Sequence, residues 1–172
     1  AALREGSDRL IDNIKTKFPE IYELLLKIEC SDADLFTATA MILGLEEQSY
    51  EGVMKEALKF LGKGGLQIDT KVEDNRFNHV AFLSSIISYQ MAGVDSVYLS
   101  YSIFESFGDY FSELITEIKG KTKATEVALC GSYFGGQSLF SRIQRNFKTT
   151  PVLMNVNYPI GKENCVVGGV FI

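Results

Sequence analysis

Apolar residues recur at helical spacing from the start of the chain: Leu10, Ile11, Ile14 and Phe18, then Ile21, Leu24, Leu25 and Ile28. Pro19 falls between the two sets, which predicts a second helix starting there or a kink in a single long one. Ser31 with Asp34 three positions on reads as an N-cap with a carboxylate in the first turn. The helix that follows buries Leu35, Ala38, Ala40 and Ile42 and stops at Gly44. Ser49 caps another, from Tyr50 to about Leu61. Its Val53, Met54, Ala57, Leu58, Phe60 and Leu61 cover most of the circumference, so packing on more than one side is expected.

Gly62, Gly64 and Gly65 end that helix, and Leu66 to Val72 alternates apolar and polar, the pattern of a short edge strand or hairpin arm. An acidic turn, Glu73-Asp74-Asn75, comes next. Asn78 caps a helix from His79 to Met91, ended by Gly93. Asp95 or Ser96 caps a longer one to about Ile118, lined by Val97, Leu99, Tyr101, Phe104, Phe107, Tyr110, Phe111, Leu114 and Ile118; this aromatic stripe reads as core. Beyond the polar loop at Gly120 to Thr125 the character changes. A strand from Glu126 to Cys130, a glycine turn, a helix from Ser138 to Phe147 and a strand from Pro151 to Asn157 make a βαβ unit with a right-handed crossover. A turn at Pro159-Ile-Gly161 and a final apolar segment, Val166 to Ile172, complete the chain. The expectation is one compact domain of mixed α and β class, α+β or α/β: a mainly helical section over 1–120, then a βαβ section over 121–172.

Composition narrows the function classes. A chain of 172 residues, 46% hydrophobic and 23% charged, suits a globular domain with a real core. The net charge of −5 argues against nucleic acid, which favours a basic face. No apolar run reaches the roughly 18 residues of a membrane span, and no signal peptide opens the chain. The start in helical sequence without an initiator Met is what a piece of a longer protein would show. Cys30, Cys130 and Cys165 form neither a disulfide framework nor a CxxC site, so a reducing cytoplasm is expected. With His79 the only histidine, the chain alone is short of zinc or iron ligands.

Candidate chemistry centres on Val127 to Gln137. The apolar run Val127, Ala128, Leu129 and Cys130 has the pattern of a fully buried central strand, and Gly131, Gly135 and Gly136 supply a turn before the next helix. Such a turn aims backbone N–H groups at the carboxyl end of a sheet, where α/β folds hold phosphates; an ordinary strand–helix connection has the same pattern. Cys130 and Cys165 read as buried small hydrophobes; no Cys-His pair activates Cys130. His79 reads as a helix-start residue, and Asp69, Glu73 and Asp74 as solvated turn carboxylates. Arg142 and Arg145 follow the glycine turn, placed for a phosphate contact or a solvated face.

Four stretches in order resemble the carboxy-terminal portion of the HypF carbamoyltransferases, which mature [NiFe] hydrogenases and whose catalytic part belongs to the actin-like ATPase superfamily. Asp34-Leu-Phe-Thr-Ala-Thr-Ala-Met-Ile-Leu-Gly44 is similar to that family's Leu-Phe-Asp-Ala-Val-Ala-Ala-Leu-Leu-Gly helix. Ser49-Tyr-Glu-Gly52 matches its Tyr-Glu-Gly segment. Val127-Ala-Leu-Cys-Gly-Ser-Tyr-Phe134 is similar to its Ala-Leu-Ser-Gly-Gly-Val-Phe turn, and Pro159 to Gly168 falls where it has a Pro–Asn-Asp-Gly-Gly–Gly ending. The resemblance implies a ribonuclease-H-like half domain, with Tyr50, Glu51, Gly52, Gly131 and Ser132 along a nucleotide.

The departures point the other way. Lys162 stands where the family's metal-holding aspartate falls, a cation in place of a cation's ligand; Glu163 substitutes only after a register shift. Ser132 replaces the second glycine of the turn, Gly135-Gly136 replaces a Gln-Asn, and the family's Phe-His-Asn reads here as Phe104-Glu105-Ser106. The upstream histidine-rich metal motif is absent from this sequence. These changes imply a chain without catalytic or metal-binding residues of its own, binding hydrogenase-maturation proteins or a hydrogenase precursor, with a homodimer also open. The alternative is the nucleotide-binding half of an active carbamoyltransferase, in which case the longer protein takes ATP and Mg²⁺.

Overall fold

Pro19 decides the first architectural feature. In a computed structural model that describes residues 7–74, 76–148 and 151–154, it is the first residue of a new helix. Helix α1, Ser7–Lys17, ends before it and α2, Pro19–Glu29, begins on it, where its missing N–H has no intrahelical partner to lose. The chain divides into two units, Ala1–Leu61 with Ile68–Ser100, and Gly62–Gln67 with Tyr101–Ile172.

In the first unit α1 packs on α2, α2 on α3 (Leu35–Ile42), and α3 on both α4 (Tyr50–Ala57) and α5 (His79–Met91). The cap of α3 is Asp34 and not Ser31: its Oδ1 accepts the Thr37 N–H at 2.7 Å, and that bond holds the carboxyl below its ordinary range. Ser49 and Asn78 cap α4 and α5 as expected, accepting from Gly52 at 3.1 Å and Ala81 at 2.9 Å. Ala38, Ala40, Ile42, Val53, Ala57, Phe82, Ile86 and Leu99 are buried here. Gly44 and Gly93, at φ +69° and +82°, stop α3 and α5 in the left-handed region that glycine enters without strain.

Three expectations are corrected in this part of the chain. Helix α4 ends at Ala57, leaving Leu58 46% and Leu61 96% exposed, so the wide apolar surface is not packed all round. Phe60 lies beyond the helix and stacks on Tyr98, centroids 4.9 Å apart. Residues 66–71 form no strand; only Val72–Glu73 (β1) pairs, antiparallel with Arg76–Phe77 (β2) across the acidic turn. The reason is competition for the backbone groups from serines distant in sequence. The Asp69 N–H donates to Ser85 Oγ at 3.2 Å, and in the second unit the Leu66 N–H donates to Ser102 Oγ at 2.9 Å. Helix hydroxyls satisfy backbone groups that a partner strand would otherwise take.

Helix α6, Ser96–Thr122, begins over Asp95, whose Oδ1 accepts from Val97 at 2.8 Å, and supplies the second unit from Tyr101 onward. Strand β3, Val127–Leu129, pairs in parallel with β4, Val152–Met154, with α7, Gln137–Asn146, between them. The βαβ unit is therefore present. Val127 and Leu129 are buried and Ala128 is exposed, so β3 is covered on one face and not on both. Cys130 is exposed, against the expectation of a buried small hydrophobe. The final apolar segment, with Cys165, lies outside the described residues.

Gly52 and Gly120 give opposite predictions. A Cβ on Gly52 would sit 1.9 Å from the Glu47 carbonyl oxygen, whose residue is tied to Lys55 by a 2.6 Å ion pair; a Cβ on Gly120 meets nothing within 4 Å. Gly52→Ala should therefore destabilise by about 1–3 kcal/mol despite alanine's helix preference. Gly120→Ala should stabilise by about 0.5–1 kcal/mol. Urea unfolding midpoints of the two variants test both signs.

Candidate functional site

The glycine turn is built from one dihedral pair. Gly131 adopts φ 117°, ψ 149°, a region open in practice to glycine alone. From it the chain folds into a 3₁₀ turn, Ser132–Gly135, closed by Phe134 N–H to Gly131 O at 3.1 Å and Gly136 N–H to Tyr133 O at 3.2 Å. Helix α7 starts directly after. Gly131 and Ser132 are exposed at the carboxyl end of β3, and the first N–H groups of the turn have no partner within it. Phe134 anchors the turn: its ring meets Phe111 of α6 edge-on at 5.4 Å, and Phe111 stacks on Phe107 at 6.2 Å. Tyr133 is half exposed.

Behind the turn, α7 is fastened to α6 by ions. Arg142 places Nε and Nη2 on the two oxygens of Asp109 at 2.7 and 2.8 Å, and Nη1 on Glu105 Oε2 at 2.9 Å. Arg145 Nη2 takes the other Glu105 oxygen, and Asn146 donates to Asp109 at 2.9 Å and to Ser112 Oγ at 3.0 Å. Glu105 is only 5% exposed at its side chain; two guanidinium partners are what make a buried carboxylate tenable. Burial pushes the Asp109 carboxyl up. The hydrogen bonds from Arg142 and Asn146 and the two arginine charges outweigh this and hold it below its ordinary range. The Asp109 bond raises Arg142 in turn. Gly108 lies between the two acids, where a Cβ would be 2.4 Å from Arg142 Cγ. The helices can come this close only because that side chain is missing.

The other residues named from the sequence fall in the first unit. Tyr50, Glu51 and Gly52 form the first turn of α4; Tyr50 meets Phe36 edge-on at 5.0 Å, Glu51 is exposed, and the Gly52 N–H is taken by Ser49. Gly131 and Ser132 are neighbours in the second unit. Lys162, Glu163 and the Pro159 to Gly168 ending lie outside the described residues. Arg142 pairs with Glu105 and Asp109 and is part-buried, whereas Arg145 pairs with Glu105 alone and keeps a side chain 49% exposed, so the solvated-face reading holds for Arg145 only. Asp109 was not singled out from the sequence. The signal was there: acids at i and i+4 on α6 match bases at i and i+3 on α7. Among the described residues no group of three or more His, Cys, Asp and Glu side chains could hold a metal ion. None of the described helices is long and apolar enough to cross a membrane.

No family model matches the chain. Its fold is similar to that of HypF: it superposes on a crystal structure of T. kodakarensis HypF with a TM-score of 0.66 at 20% identity, covering 83% of this chain and 19% of that one. A full-length HypF in its phosphate- and nucleotide-bound form gives 0.64 at 19% identity, over 80% of this chain and 19% of that one. Among curated proteins, Protein HydE of Wolinella succinogenes is 20% identical over 171 residues, 91% of this chain and 31% of that protein. The chain thus spans about a fifth of the HypF structures and under a third of HydE. The resemblance drawn from short motifs is matched by the fold.

The ion network should govern stability. Arg142→Ala strips Asp109 of its bidentate partner and leaves the buried Glu105 with Arg145 alone, a loss of about 3 kcal/mol in denaturant unfolding. Asp109, with a folded pKa below its unfolded value near 3.9, contributes stability that is present above that pH and lost as pH falls through the folded value. As pH falls below about 4, wild type should lose stability more steeply than Asp109→Asn, whose acid unfolding curve is correspondingly flatter.

Proposed function

We propose that this chain is the carboxy-terminal part of a HypF-related [NiFe]-hydrogenase maturation protein, and that it acts by binding another maturation protein or the hydrogenase precursor, without transferring a carbamoyl group. The HypF-like fold supports the maturation role. A single observation carries the non-catalytic part of the reading: the two arginines of α7 are engaged by carboxylates of α6. Arg142 and Arg145 sit roughly 7 and 12 Å along the helix from its start, Arg142 paired with Glu105 and Asp109 and Arg145 with Glu105. A phosphate at Gly131 and Ser132 would meet backbone N–H groups and a hydroxyl with no basic side chain of α7 to neutralise it. Glu105 stands where the HypF helix motif carries a histidine, so a residue able to ligate a metal has become the anchor of an ion pair. Lys162, in place of the family's aspartate, works in the same direction.

A second reading has its own support. Gly131 keeps a glycine-only conformation at the carboxyl end of a parallel strand, and one HypF of this fold binds phosphate and nucleotide. On this view the chain is half of a ribonuclease-H-like, ATP-dependent carbamoyltransferase: Gly131 and Ser132 hold a phosphate, and Tyr50, Glu51 and Gly52 line the nucleotide.

Titrating the intact protein with ATP and Mg²⁺ in a calorimeter separates the two. The expected outcome is no binding heat at millimolar nucleotide, together with loss of [NiFe]-hydrogenase activity when the gene is deleted in its host. Nucleotide binding would establish the second reading; undiminished hydrogenase activity after deletion would remove both.

A further inference from the structure

We propose that the end of the βαβ unit opposite the glycine turn docks an acidic, apolar-bearing segment of a partner protein, an inference that rests on the partner-binding reading above and names where the contact is made. A depression of about 560 Å³ opens there, between the last turns of α7 and the start of β4. Its floor is apolar, from Phe147, Pro151 and Val152, and Ser141, Arg145 and Lys148 rise around it. Among the described residues no carboxylate lines it. In a chain of net charge −5 this is a local reversal of sign. Four residues join the end of α6 to β3, and the Val127 N–H reaches Pro151 O at 3.4 Å; Lys123 and Glu126 offset each other in this join and Lys121 is paired with Glu117, so the reversal of sign rests on Arg145 and Lys148.

Arg145 gives the surface its specificity. One edge of its guanidinium is fixed by the buried Glu105 through Nη2 and by Ser141 O through Nε, while its side chain remains 49% exposed. A guanidinium has five N–H donors, so the outward ones are presented by a side chain already held in place. That lowers the ordering cost of binding a carboxylate and favours Arg over a free lysine as the recognising group. Lys148 adds a second cation beside an apolar floor wide enough for one or two side chains. The matching ligand is a peptide with carboxylates flanking a Leu- or Phe-type anchor. A bare phosphate would leave the floor unused, and an apolar peptide would leave Lys148 and the outward donors of Arg145 without an acceptor.

The test uses the full-length protein on an array of synthetic peptides in which Glu or Gln flanks Leu, Phe or Ser. Binding should concentrate on peptides with Glu on both sides of Leu or Phe and fall about tenfold for their Gln counterparts. Lys148→Glu should remove it by a similar factor. Lys15→Glu, on α1 and outside the depression, should leave it unchanged. Arg145→Ala should weaken it too, but Arg145 also pairs with Glu105, so Lys148→Glu is the deciding variant. Equal retention of Gln peptides, retention by Lys148→Glu, no peptide bound, or displacement by millimolar inorganic phosphate alone would overturn the proposal. Because the hydrogenase-deletion phenotype and the nucleotide titration do not involve this surface, they stand or fall separately from it.

Discussion

Arg142 lying across two carboxylates one turn apart on α6 is the constraint from which the second unit follows. A parallel two-stranded pair with a single crossover helix has little core of its own, and α7 buries only Leu139 and Ile143 among its residues. What fixes its register on α6 is the bidentate bond to Asp109 and the reach to Glu105, and both require the close approach that Gly108 allows. Each feature is of small use without the others. A side chain at position 108 would push Arg142 off both acids, and loss of Arg142 would leave a buried carboxylate short of a partner.

That clamp also sets the state of the glycine turn. The turn is held at one end by β3 and Phe134, and at the other by a helix whose middle is ionically fastened. Gly131 supplies the one conformation that lets a strand lead straight into a 3₁₀ turn. The result is a presented loop with Ser132 and Tyr133 exposed, built without help from the charged side chains of α7. Its shape suits an anion; its electrostatic surroundings, as far as α7 provides them, do not.

Much of this was legible because capping chemistry is short-range. Ser49, Asn78, Gly44 and Gly93 ended or began helices where the sequence placed them, and Pro19 split the first helical stretch. The failures were those in which a distant group intervened. Residues 66–71 alternate like a strand, yet Ser85, Ser102 and Ser106, between 16 and 40 positions away, take their backbone groups. Leu58, Phe60 and Leu61 extend an apolar pattern beyond the helix that carries it, and periodicity alone does not say where the hydrogen bonding stops. Cys130 ends an apolar run, and only the one-sided cover of β3 exposes it. In the candidate site the glycine turn was found from the sequence. The role of Arg142 and Arg145 was not, because their acids lie 33 to 40 residues upstream on another helix.

The same buried carboxylate unites the two ends of the βαβ unit. Glu105 engages Arg142 in the middle of α7 and Arg145 near its far end, so both arginines of the helix are held against α6, and of the two only Arg145 lines the α7–β4 depression. Of the two arginines of α7, it is Arg145, at the α7–β4 end, that keeps the more exposed side chain for an anion to meet. A nucleotide has a triphosphate to satisfy and no use for an apolar floor, whereas an acidic protein segment uses both the floor and the charges.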